Sequence, residues 1–167
     1  MIDARLEVGS ASLPETTYML ASGSNRFGAI DFQSSAREYV SRTDTVRLDD
    51  LHAAAIQIEE GIPLGPVLAE ALIHGTSIGG ARPKVLVTDA DGGQWIAKLS
   101  STSDTAFSVV NAEAAALWLA AKAGIAVPES EVTRSLGRDV LLVRRFDRVG
   151  NGLRRHCLSA LTLTGLD

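Results

Sequence analysis

The sequence predicts an α+β domain: a mainly antiparallel sheet with packed helices. Three observations carry that expectation. Short apolar runs are separated by tight turn signals at Asp91-Gly92-Gly93 and Gly137. Two stretches, around 48–58 and 112–122, show helical spacing. Strands and helices follow one another without a regular β–α–β alternation. The chain has 167 residues, enough for one domain with a sizeable core.

Residues 1–17 carry no clear periodicity. Tyr18 to Leu20 and Phe27 to Phe32 are apolar runs around the turn formers Ser22-Gly23-Ser24-Asn25, which reads as a hairpin. Leu48, Leu51, Ala55 and Ile58 follow helical spacing, with Gly61 where a C-terminal glycine belongs. Pro66 opens a second short helix, with Leu68 and Leu72 on one face and Gly75 at its end. A small, glycine-rich segment follows. Val85 to Val87 and Trp95 to Leu99 read as strands joined by the Asp91-Gly92-Gly93 turn. Ser100 to Thr105 is a polar loop, and Ala112 to Lys122 is an alanine-rich helix ended by Gly124 and Pro128. Val132 and Val140 to Val143 are strands around Gly137, and the stretch SALTLTGLD opens a further element.

Composition limits the function. A net charge of −4 and a pI near 5.4 argue against nucleic-acid binding through bulk charge, with RRFDRVGNGLRRH as the one local basic stretch. No apolar run approaches the ~20 residues that cross a membrane, and the first residues lack the apolar core of a secretory signal. A single cysteine, Cys157, excludes an internal disulfide framework, and a cytoplasmic location is expected. His156-Cys157 has no partner ligands in the pattern, Trp95 and Trp118 are expected in the core, and His52 and His74 receive no role.

Three features could carry chemistry. From Gly75 to Lys84, glycines allow backbone N–H groups to converge on an anion and the lysine adds a full charge, but the spacing is not that of a P-loop and on its own better fits an ordinary turn. Lys98 lies on the second hairpin strand, where alternation puts Gln94, Ile96 and Lys98 on one face and Trp95, Ala97 and Leu99 on the other. Alone, it reads as a protective edge lysine. Glu113 stands in the first turn of an apolar helix; alone, it reads as an acid stabilised by the helix dipole by ~0.3–1 kcal/mol. Glycine loop, strand lysine and helix glutamate in that order match the nucleotide site of protein kinases.

The stretches TSIGGARPK (76–84), WIAKL (95–99), NAEAAALWLAAKAGIAVPES (111–130) and GRDVLLVRRFDR (137–148) resemble the HipA family of bacterial serine/threonine toxin kinases. NRFGAIDFQ (25–33) and GIPLGPVLAEAL (61–72) are similar to that family's N-terminal half. The resemblance implies a kinase-like N-lobe and a three-part division: 1–74 a partial N-terminal subdomain, 75–148 the ATP-binding lobe, 149–167 the start of a truncated C-terminal lobe. It implies that Gly79, Gly80, Ala81, Arg82, Pro83 and Lys84 cradle ATP phosphates, that Lys98 contacts them, and that Glu113 orients Lys98. Arg144, Arg145 and Phe146 would lie at the adenine, and Ser77 would be the autophosphorylated loop serine. ATP and Mg²⁺ are the implied cofactors, with the Mg²⁺ ligands and the catalytic aspartate in a C-terminal lobe that this sequence is expected to lack. By itself the chain is then expected to be inactive. A HipB-like antitoxin and an aminoacyl-tRNA synthetase substrate are the implied partners. The competing reading is a non-catalytic regulatory module of a split toxin–antitoxin system, disfavoured by the retained glycine loop and strand lysine.

Overall fold

A computed structural model of the chain describes residues 13–42, 46–65, 69, 82, 84–150 and 152–165. Helix α1 spans Glu15–Ala21 and α2 spans Leu48–Glu59. Strands β1 (Lys84–Thr88) and β2 (Gln94–Leu99) precede helix α3 (Val109–Lys122). Strands β3 (Ser130–Ser135) and β4 (Arg138–Arg144) complete a sheet of order β1-β2-β4-β3, antiparallel throughout. A two-stranded ribbon, β5 (Arg148–Val149) and β6 (Leu153–Arg154), and a short helix α4 (Ala160–Thr164) follow. This is the α+β class with the antiparallel sheet that the turn signals predict.

The two faces of the sheet carry different helices because the strand residues alternate. Val85, Ala97, Leu99 and Val140 are buried on one face, against Leu51, Ala54 and Ala55 of α2. Leu141 and Val143 are buried on the other, against Val110, Ala114 and Leu117 of α3. Lys98 pairs in register with Leu141, so it projects on the α3 side. Trp95 is a core residue, 7% exposed. Trp118 is 60% exposed, contrary to expectation: the packing stripe of α3 runs through Val110, Ala114 and Leu117, and the indole is left on the surface beneath the Lys122 amine.

The termini of these elements follow local chemistry. Ser108 caps α3 by accepting the Asn111 N–H at 3.2 Å, and Gly124 takes φ +80° just beyond its end. Leu136 and Gly137 both have positive φ, 50° and 76°, the geometry of a two-residue hairpin turn between β3 and β4.

The N-terminal hairpin does not form. Tyr18 to Leu20 lie inside α1, which Pro14 initiates, and 27–32 form no strand. Three consecutive apolar residues cannot distinguish a strand from one turn of helix. Of the predicted second helix from Pro66 only Ala69 is described, its N–H bonded to the Gly65 carbonyl at 3.0 Å, and the glycine segment 75–81 lies outside the described residues.

The segment 22–32 satisfies its backbone through side chains instead of a ladder. Arg42 donates to the carbonyls of Ser22 (3.1 Å) and Phe32 (2.6 Å), and Arg154 donates to that of Ser24 (3.0 Å). Arg145 donates to the Arg26 carbonyl (2.8 Å), and Arg148 donates to that of Gly28 (2.9 Å). The basic stretch that the sequence left open as a nucleic-acid patch is largely spent on these internal bonds.

Candidate functional site

β1 and β2 put Lys84 directly opposite Lys98 on the face covered by α3. Two like charges facing each other across strands cost stability. The Glu113 carboxylate, one turn into α3, meets this pair: its Oε1 is ion-paired with Lys98 Nζ. Both side chains are about one-third exposed, 32% and 37%, so the pair sits at an open margin of the sheet rather than in the core. Lys84 donates to the Arg82 carbonyl at 3.1 Å. Burial is the main cause that pushes its amine below the usual lysine range, the Lys98 charge adds to this, and Glu113 opposes it. A cation margin flanked by one carboxylate is suited to an anion that supplies further negative charge.

Arg82, just before β1, forms a salt bridge with Asp104 through Nη1, at 2.8 Å to Oδ1 and 3.1 Å to Oδ2. Asp104 belongs to the loop joining β2 to α3, so one connection links the strand of Lys98 to the helix of Glu113. Glu59, at the end of α2, accepts from the Thr102 N–H (2.8 Å) and hydroxyl (3.0 Å) of the same loop. Burial would raise the Glu59 pKa, but these bonds and that of Ser101 outweigh it and hold the carboxyl below its ordinary value.

Arg144, Arg145 and Phe146 have three different environments. Arg144 is half exposed, bonds to Glu129 at 2.9 Å and lies over the Trp95 ring at 5.7 Å. Phe146 is 54% exposed and meets Phe27 edge-to-face at 5.5 Å. The Arg145 guanidinium is fully buried and grips Asp147 with two bonds, Nε to Oδ1 at 2.9 Å and Nη2 to Oδ2 at 2.6 Å. Its remaining nitrogen donates to Asn25 Oδ1 at 2.8 Å. Arg148 donates to Asp147 Oδ2 at 2.7 Å. Burial would raise the Asp147 pKa; the bonds from Arg145 and Gly28 and the two guanidinium charges hold it below the usual carboxylate range. Arg148 is pushed down to about 10, chiefly by burial and then by the Arg145 charge.

The structure thus gathers Lys84, Lys98 and Glu113, with Arg82 just before β1, and gives Arg145 a separate, inward-facing task. Ser77, Gly79, Gly80, Ala81 and Pro83 lie outside the described residues. Sequence reasoning missed Asp104 and Glu59, which look like ordinary loop and helix acids, and Asn25 and Gly28, whose partners lie about 120 residues away. The alternating charges of Arg145-Phe146-Asp147-Arg148 were the one visible signal of a buried ionic cluster. Among the described residues no group of three metal-ligating side chains occurs, and no helix is long and apolar enough to cross a membrane.

A family model described as the HipA-like C-terminal domain matches residues 76–167, more than half of the chain. Because the matching model is that of the C-terminal domain, the expectation that the chain is only an N-terminal part of such a protein is corrected for these residues. Comparison with curated proteins and with solved structures finds no match.

Proposed function

The chain belongs to the HipA-like C-terminal domain family, and from that premise we propose that residues 76–148 are the ATP-holding part of a HipA-like serine/threonine kinase. The observation that carries this reading is the ion pair of Lys98 with Glu113 beside Lys84, directly after the glycine-rich segment. In kinases a glutamate on a helix orients a strand lysine toward the nucleotide phosphates. Here Glu113 fixes the Lys98 amine at the open margin of the sheet, and Lys84 adds a second cation one strand away. The glycines of 75–80 would supply N–H donors to the same anion. Bound ATP supplies the transferable phosphoryl group. Its adenine would rest near Arg144 and Phe146, whose exposed faces suit stacking. Arg145 supports that linker from beneath, because its guanidinium is occupied by Asp147 and Asn25. The Mg²⁺ ligands and the catalytic base that such a kinase needs would lie in its C-terminal lobe. A HipB-like antitoxin and an aminoacyl-tRNA synthetase are the partner and substrate that such a toxin kinase would have, and Ser77 the residue it would phosphorylate on itself.

Photolabelling with 8-azido-ATP tests this assignment. The label is expected on peptides that include Arg144 to Phe146, competed by ATP and lost in Lys98→Met, with no transfer of radiolabelled phosphate to Ser77 or to added protein. Labelling unaffected by ATP and by the lysine substitution would refute it.

A further inference from the structure

We propose that Asp104 is a positioning residue for the nucleotide segment: it holds Arg82 at the start of β1, and Glu59 ties the loop carrying Asp104 to α2. The inference rests on the nucleotide reading above and adds to it a connection between α2 and the phosphate-facing residues. Three observations carry it. The Asp104 side chain is 6% exposed while that of Arg82 is 48% exposed, so the acid is the fixed member and the arginine the held one. Both Asp104–Arg82 bonds use Nη1 of a side chain that stays half exposed. The loop is itself braced, with the Ser101 N–H on Asp104 Oδ2 at 3.2 Å, the Asp104 N–H on the Ser101 carbonyl at 3.2 Å, and Thr102 bonded twice to Glu59. Glu59 closes α2, whose Leu51, Ala54 and Ala55 are buried against the sheet. A shift of α2 is therefore passed to Arg82 through two carboxylates rather than through the core alone. Arg82 stands two residues before Lys84, so its placement sets where a guanidinium charge, beside the Lys84 and Lys98 amines, meets a polyphosphate.

The test uses the whole chain and four variants: Asp104→Asn, Asp104→Glu, Glu59→Gln and the reversed pair Arg82→Asp with Asp104→Arg. Affinities for ATP and for adenosine are measured by calorimetry, and amide exchange is followed in peptides covering 82–88 and 100–106. Asp104→Asn is expected to weaken ATP binding roughly three- to ten-fold, as a charge-assisted contact of this exposure allows, to leave adenosine binding unchanged, and to speed exchange at the Arg82 and Lys84 amides. Asp104→Glu should recover most of the ATP affinity, and Glu59→Gln should give a smaller loss in the same direction. The reversed pair should restore slow exchange but not ATP affinity, because the charge at position 82 is then negative. Equal losses for ATP and adenosine, or unchanged exchange at 82–84 in Asp104→Asn, would overturn the proposal. A wild-type chain that binds no ATP would instead sink the nucleotide reading.

Discussion

The Asp147 carboxylate accepts the backbone N–H of Gly28 at 2.7 Å, across 119 residues of sequence. Gly28 has φ +82°, and its Cα faces the Cys157 backbone nitrogen, 3.6 Å from where a Cβ would stand. This contact, with Arg145 and Arg148 around it, fastens the N-terminal segment to the end of the sheet. Removing one member of a buried ionic group strands the others. Asp147→Ala should therefore cost about 3–5 kcal/mol of folding stability, read as a lower urea midpoint. The Asp147 pKa is depressed on folding, so its contribution is present above the unfolded carboxylate value and is lost as pH falls through the lower folded value. Acid titration of Asp147→Asn should show a flatter stability loss below about pH 4 than the wild type.

His52 gives a second pH dependence of a different kind. Its ring is fully buried in the α2–sheet core, with neither nitrogen hydrogen-bonded. Burial, then the Arg138 charge, pushes its pKa below the usual histidine value, although the Asp49 and Glu59 charges oppose this. Because the folded pKa is lowered, the unfolded chain binds the proton first. Stability should be full above about pH 6.5, the unfolded histidine value, and fall as pH drops below it. Urea midpoints at pH 7.5 and 5.5 should differ less in His52→Leu than in the wild type. An equal difference in the two proteins would show that His52 contributes nothing to the acid sensitivity.

The β1–β2 turn rests on Asp89. Its carboxylate accepts from the Gly93 N–H at 2.6 Å, the Asp91 N–H at 3.0 Å and the Trp95 indole at 2.8 Å. Those bonds, led by the one from Trp95, hold its pKa below the ordinary value. A Cβ on Gly93 would run into that carboxylate. Gly93→Ala should displace the Asp89 carboxylate and cost about 1 kcal/mol, the net worth of the hydrogen bonds disturbed, and Asp89→Ala should quench or shift the Trp95 fluorescence while leaving α3 intact by circular dichroism.

Much of the sheet was legible because its residues satisfy two rules at once. Gln94 to Leu99 alternate in burial, with Gln94 and Lys98 on the less buried face, and Gly92 and Gly137 supply the positive φ that the flanking turns require. Helix α2 was visible in the helical spacing of Leu48, Leu51, Ala55 and Ile58, although only Leu51 and Ala55 of these are buried and Ile58 is exposed. The N-terminal segment was not legible. Its conformation is set by Arg42, Arg145, Arg148 and Arg154, and no local pattern near Gly28 announces arginines so distant in sequence. The site divides in the same way: Lys98 and Glu113 were visible as types in an order, whereas the Arg82–Asp104 contact depends on the fold of the loop between them.

Lys98 and Glu113 should matter little to stability and much to ligand affinity. An ion pair about one-third exposed contributes about 0–1 kcal/mol, so Glu113→Gln should unfold within that margin of the wild type. Its effect on nucleotide binding should be non-additive with Lys98→Met, since each substitution breaks the same contact.

The nucleotide reading as a whole is tested most directly by calorimetric titration of ATP into the 167-residue chain and its Lys98→Met variant. Saturable one-to-one binding is expected, weakened at least about ten-fold in Lys98→Met, the effect of losing one charge-assisted phosphate contact, without a matching loss of thermal stability. Absence of binding by the folded wild type, or the same affinity in both proteins, would contradict it.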